Sequence, residues 1–371
     1  MLLVADSDHD ANMLYATGMF VPDPFIYFQR RGRAYIVMSD LEIDRARKQA
    51  PGCRVLPLTR YQEEIRRDGI KRPSLAQVAA RVLRERGVRS VLVPQDFPHG
   101  LAVELQKKRI RVKPKTGSFF PEREQKSADE VRKLREALAI AEIGMASGIG
   151  TLRSAKIRKD RKLILGGAPL TSERLRAIID TAILQAGGIA RHTIVAGGNQ
   201  ACDPHETGYG PLRANQPIIL DIFPRSQKTG YFGDITRTVV RGRASEAVRK
   251  LYSTVWEGQT LAFTKMREGV RTVDVHNAVL KFFKGQGYET GKKNGRMQGF
   301  FHGTGHGLGL EIHEPPRMGL NSAGKLKPGQ VITVEPGLYY SGIGGIRIED
   351  VAVITSAAPR NITSFEKLLE I

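Results

Sequence analysis

The feature that most constrains this chain is a set of four acids placed in runs that otherwise read as buried strand. Asp221 ends PIILD, Asp234 lies in GYFGDITRT, Glu335 follows VITV and precedes Pro336-Gly337, and Glu349 sits inside GIRIEDVAV. These runs are rich in apolar and β-branched residues, the pattern of strands with a covered face. An ionised carboxylate there is costly unless a neighbour neutralises it. One such acid reads as a structural salt bridge. Four that converge leave a charge deficit for which a divalent cation is the natural remedy. Because GYFGDITRT would be the return strand of a hairpin begun by PIILD, Asp234 is expected near Asp221.

A fifth donor comes from FHGTGHGLGLEIHEPPR. His302 and His306 have a spacing that on a helix would suggest a zinc site, but Gly303, Gly305, Gly307 and Gly309 argue for a glycine-rich loop or strand. The candidate ligands are therefore Asp221, Asp234, His306, Glu335 and Glu349. An oxygen-rich set with one imidazole points to Mn²⁺ first, with Co²⁺, Fe²⁺ or Zn²⁺ as alternatives. No Ser-His-Asp signature, nucleophile elbow or P-loop is present. The chemistry indicated is metal-assisted hydrolysis.

Taken in order, D…GYFGDITRT, HGTGHGLGLEIHE, ITVEPGLY and GIRIED resemble the pita-bread metallopeptidase family, which contains methionine aminopeptidases, aminopeptidase P, prolidase and creatinase. The resemblance covers residues 127–371, and the α/β segment ahead of it is similar to the creatinase and prolidase branch. It implies an α+β protein: a pita-bread catalytic domain at 127–371, preceded by a smaller creatinase-type α/β domain at 1–122. It implies that Asp221 chelates one metal, Asp234 and Glu349 bridge both, and His306 and Glu335 complete the other shell. A hydroxide bridging the metals would then attack the peptide carbonyl.

The same resemblance makes His205, His302 and His313 pocket histidines, Arg347 a supporting charge partner and Tyr339 a substrate-side group. Glu335 is expected to move the proton of the attacking water, and His302 or His313 to hydrogen-bond the oxyanion. The implied substrate is the bond before proline in short peptides, as in Xaa-Pro dipeptidases and Xaa-Pro aminopeptidases, acting as a homodimer. Arg317, four residues after His313, would capture a dipeptide's carboxylate, which separates the two activities. The alternative is a non-catalytic binding module for peptides or nucleic acid; the intact ligand set argues against it.

One departure stands out. Asp221 and Asp234 are thirteen residues apart, more than is usual in the family, with DIFPRSQKTG between them and Phe223 where small residues are common. An even insertion keeps both aspartates on one strand face, and extra loop length costs little. A reshaped cleft nearby is the expected consequence.

Upstream, PFIYFQ and AYIVMS read as strands around the turn Arg30-Arg31-Gly32-Arg33, and VRSVLVP, GLAVELQKKR and RIRVKP continue the alternation of strand and helix. Ser127 with Glu130 forms a capping box opening a helix, and a further helical stretch is expected over 247–283. The N-terminal apolar run is too short for a signal peptide and no segment has the length of a membrane span, so a cytoplasmic location without membrane association is expected. Cys53 and Cys202 show no metal or disulfide pattern. The net charge of +20 attracts polyanions generally. Its scattered basic residues, without interleaved aromatics, do not indicate specific nucleic-acid binding.

Overall fold

The computed structural model describes residues 1–371, which divide into two compact units, Met1–Arg123 and Glu124–Ile371. In the first, strands β1 (Leu2–Ala5), β2 (Phe25–Arg30), β3 (Arg33–Met38) and β4 (Cys53–Pro57) form a sheet in that order. The β1–β2 and β2–β3 pairs are antiparallel and β3–β4 is parallel. The β2–β3 turn is tight because Arg31 and Gly32 both take positive φ, 49° and 75°, the conformation of a two-residue hairpin loop. A parallel pair, β5 (Ser90–Val93) and β6 (Arg111–Pro114), lies beyond helices α1 (Ala11–Thr17), α2 (Ile43–Gln49), α3 (Leu58–Arg67) and α4 (Leu75–Glu85), with α5 (His99–Lys107) as its crossover. The unit is thus α/β, with two apolar clusters of its own.

The second unit opens with α6 (Ala128–Ser154), whose Ser127–Glu130 capping box is formed. It packs on α7 (Ser172–Gln185) at close range, which requires glycine. A methyl group at Gly144 would lie 2.8 Å from Ile183 Cγ1, and one at Gly148 would lie 2.9 Å from Ile179 Cδ1. Against α6 lies an antiparallel sheet of β7 (Ile194–Gly197), β8 (Ile218–Ile222) and β9 (Ile235–Val239), with β8 central. The helical stretch expected over 247–283 is two helices, α8 (Glu246–Lys265) and α9 (Thr272–Gly285). They are separated where Gly269 turns the chain at φ 80°.

Six further strands follow: β10 (Gly305–Gly307), β11 (Glu314–Met318), β12 (Val331–Val334), β13 (Gly337–Tyr340), β14 (Gly344–Arg347) and β15 (Asp350–Val353). One sheet runs β11-β10-β12-β15 and ends on Arg360–Asn361, while β13 and β14 form a separate pair. The β-like runs QVITVEPGLYY and GIRIEDVAVIT therefore break and change sheet, one at Glu335-Pro336 and the other at Ile348-Glu349. Pro336 has no N–H to continue a ladder, which explains the first break. The main core lies between these strands and α8 and α9. No helix is long and apolar enough to cross a membrane.

Candidate metal centre and substrate cleft

The sheet breaks aim the acids. Asp221 faces Ile194 across β7–β8 and Thr236 across β8–β9, and Asp234 immediately precedes β9. Glu335 leaves the end of β12 with its N–H bonded to Thr304 O at 2.8 Å, and Glu349 donates its N–H to Thr236 O at 3.1 Å. The Glu349 carbonyl accepts from Arg237 Nη1 at 2.6 Å, and that buried arginine also pairs with Asp350 at 2.8 Å. The backbone at Glu349 is thus held from both sides.

His306 is the centre of β10, and its two glycine neighbours let the strand enter. A methyl group would lie 1.8 Å from Thr333 O at Gly305 and 2.2 Å from Pro315 O at Gly307. His306 Nδ1 stands 3.1 Å from the Gly307 carbonyl, which can only accept, so this nitrogen carries the hydrogen. Nε2 then faces Glu335 Oε1 at 3.3 Å and Asp234 Oδ2 at 3.7 Å. Donor atoms of Asp234, His306 and Glu349 all lie within 4.8 Å of one another.

Electrostatics show what the cluster lacks. Four carboxylates meet one guanidinium, that of buried Arg347, which donates to Asp221 Oδ2 at 2.6 Å and to Tyr339 Oη at 2.9 Å. Burial, followed by the charges of Glu349, Asp221 and Glu335, holds the Asp234 carboxyl well above its ordinary range. Burial and the charges of Glu335 and Asp221 do the same to Glu349. For Glu335 burial also acts upward, but the hydrogen bond and charge of His306, with His302 and Arg347, outweigh it and bring the group to about 2. Without a cation, the crowding of these charges favours protons on Asp234 and Glu349. A set of buried carboxylate oxygens with one imidazole nitrogen that can give up its proton fits a hard divalent cation.

The other expected residues line the same cleft, a cavity of about 1080 Å³, except Tyr339, which is buried behind it and not on the substrate side. His302 is fixed at both ring nitrogens: Nδ1 lies 2.8 Å from Gly303 O and Nε2 lies 2.8 Å from Tyr339 Oη. Burial lowers its pKa to about 4, with the Arg347 charge adding to that and Glu335 opposing it. Since Arg347 donates to Tyr339, the tyrosine hydroxyl gives its own hydrogen to His302 Nε2. In this arrangement that nitrogen has no proton to offer an oxyanion. His313 is exposed, its ring edge-on to His306 at 4.5 Å. His205 lies in an exposed turn on the cleft wall.

Arg317 stands directly opposite His306 in the β10–β11 register, so the two side chains share a face. It is exposed and makes no internal hydrogen bond or ion pair. Tyr339, by contrast, is fully buried and lies behind His302.

Two features escaped the sequence reading. Glu314, between His313 and the Pro-Pro pair, is buried against Lys126 Nζ at 2.8 Å. Lys126 precedes the capping box and shows no periodic signal that would mark it as buried. Phe223 joins the cleft wall, where the sequence suggested only a change of shape.

The model of metallopeptidase family M24 matches residues 132–356. An uncharacterized peptidase of Staphylococcus aureus is 29% identical over 245 residues, 65% of this chain and 63% of that relative. The chain thus spans less than two thirds of that relative's length. An Xaa-Pro dipeptidase of Pyrococcus horikoshii is 28% identical over 289 residues, 76% of this chain and 75% of the relative. Among solved structures, an X-Pro aminopeptidase from Thermotoga maritima superposes with a TM-score of 0.83 at 20% identity, covering 100% of this chain and 97% of that one. That likeness extends the fold match over the whole chain.

Proposed function

The chain belongs to metallopeptidase family M24, and from that premise we propose that it is a dinuclear Xaa-Pro dipeptidase. Asp221, Asp234, His306, Glu335 and Glu349 would hold two divalent cations, Mn²⁺ being well suited to the donor set. Such cations supply Lewis-acid polarisation of the scissile carbonyl and make a water acidic enough to react near neutral pH. Glu335 takes the proton of that water and returns it to the proline nitrogen, which must be protonated to leave. His313, exposed in the cleft beside His306, donates to the developing oxyanion. His302 positions Tyr339 and Arg347, and through them Asp221.

The observation that carries the dipeptidase reading is Arg317: an unpaired guanidinium on the same face as His306, suited to a substrate carboxylate. A second reading, an Xaa-Pro aminopeptidase, is favoured by the extent of the cleft. It continues past Arg317 along Gly319, Asn321 and Ser322, room that longer peptides would use.

The deciding experiment compares Xaa-Pro dipeptides, their amides and Xaa-Pro-Xaa tripeptides, with Arg317→Ala alongside. The dipeptidase predicts poor cleavage of amides and a loss in kcat/KM on free dipeptides worth about 1.5–3 kcal/mol in the variant, the range for a hydrogen bond to a charged group. Faster cleavage of tripeptides, unaffected by Arg317→Ala, would establish the aminopeptidase instead.

A further inference from the structure

The cleft has two chemically different ends. Arg317 marks one, opposite His306. At the other, Ile194 is the direct cross-strand partner of Asp221, and Phe223 lies two residues beyond Asp221, so both flank that carboxylate on its own face. Both line the cleft; Ile194 is buried and Phe223 half-buried. Phe301, also half-buried, extends the wall and tilts against Tyr339 with ring centroids 5.3 Å apart.

Phe223 opens the segment between Asp221 and Asp234, and that segment is tied down. Pro224 restricts Phe223 to extended backbone and accepts the Gly233 N–H at 2.9 Å. Ser226 donates its N–H to Tyr231 O at 2.9 Å, and Arg225–Ser226 pairs with Gly188–Ile189. The aromatic ring is therefore carried by a fixed support. A half-exposed ring on a fixed wall of the cleft gains most when an apolar group covers it.

We infer that Phe223, with Ile194, forms the pocket for the side chain preceding proline, and that the substrates carry an apolar residue there. The inference rests on the Xaa-Pro reading. With the carboxylate end of the peptide at Arg317 and the scissile carbonyl at the acidic cluster, the first residue must lie on the Asp221 side. It holds for dipeptides and longer peptides alike, since only the prime side differs between them.

The test is the ratio of kcat/KM for Leu-Pro to that for Gly-Pro, with Asp-Pro as a third substrate, in the metal-loaded full chain. The wild type is expected to prefer Leu-Pro over both by about tenfold or more, the scale set by filling or emptying an apolar pocket. Phe223→Ala should narrow the Leu-to-Gly ratio by about the same factor. Phe223→Gln, which keeps bulk without apolarity, should narrow it too, and Phe223→Leu should hold it near the wild-type value. A ratio unchanged in both Phe223→Ala and Phe223→Gln overturns the inference, as does a wild type that cuts all Xaa-Pro dipeptides equally. A wild type that cuts Leu-Ala but no Xaa-Pro substrate overturns the underlying reading, and the inference with it.

Discussion

Glu349→Gln should stabilise the metal-free protein while removing its capacity to bind metal productively. The donor atoms of Asp234, His306 and Glu349 lie within 4.8 Å of one another. At an effective dielectric of about 20, two carboxylate charges at that separation repel by about 3.5 kcal/mol. Glutamine keeps the shape and can still accept the Thr236 hydroxyl hydrogen that Glu349 Oε2 receives at 2.7 Å. Because burial already keeps part of this charge protonated, the net relief is smaller, about 1–3 kcal/mol, or a rise of several degrees in Tm.

The pH dependence has a definite sign. Asp234 and Glu349 have raised pKa values in the folded chain, so above the ordinary carboxylate range the folded state binds more protons than the unfolded state. Metal-free stability is therefore fully present at low pH and falls as pH rises through those values. The variant should flatten that fall. Saturating divalent metal should reverse the ranking, since a ligand at a hundred times its Kd adds about 2.7 kcal/mol to a chain that binds it. Urea denaturation with chelator and with metal, between pH 5 and 8, measures all of this. A metal-free Glu349→Gln protein less stable than wild type throughout would refute the reasoning.

Two further outcomes follow from buried groups. Lys126→Met removes the lysine that Glu314 meets inside the protein and should cost about 3–5 kcal/mol in denaturant midpoint terms; the double variant with Glu314→Gln should recover much of it. His302, held at about 4, binds fewer protons folded than unfolded, so its burial makes stability fall as pH drops from about 6.5 toward 4. His302→Gln should make that decline shallower in stability curves of chelated protein, and an unchanged slope would mean that the ring is not desolvated as the structure has it.

The acids were legible because each breaks an otherwise apolar run, and burying a carboxylate demands an explanation. The glycines around His306 were legible too, as positions where a helix was improbable. The full reason at Gly305 and Gly307, carbonyls of the neighbouring strands within 2.2 Å of any added methyl group, is tertiary. The changes of sheet at Glu335 and Glu349 were not legible, because apolar residues persist on both sides of each break. The 247–283 stretch was read as one helical region for the same reason, with Gly269 as the overlooked signal. Lys126 and Glu314 meet across 188 residues of chain, and nothing local marks such a pair. The hydroxyl that occupies Nε2 of His302 comes from Tyr339, distant in sequence, which is why the resemblance gave it the same role as His313.

The central claim is that two metal ions, held by these five side chains, make the chain a peptidase for bonds before proline. Its most direct test strips the protein with chelator, then titrates Mn²⁺ while following bound metal by mass spectrometry and Leu-Pro hydrolysis in the same samples. The account predicts no hydrolysis by the stripped protein and a rate that levels off at two bound ions per chain, with both lost in Asp234→Ala. Full hydrolysis without bound metal, or undiminished metal binding and turnover in Asp234→Ala, would contradict it.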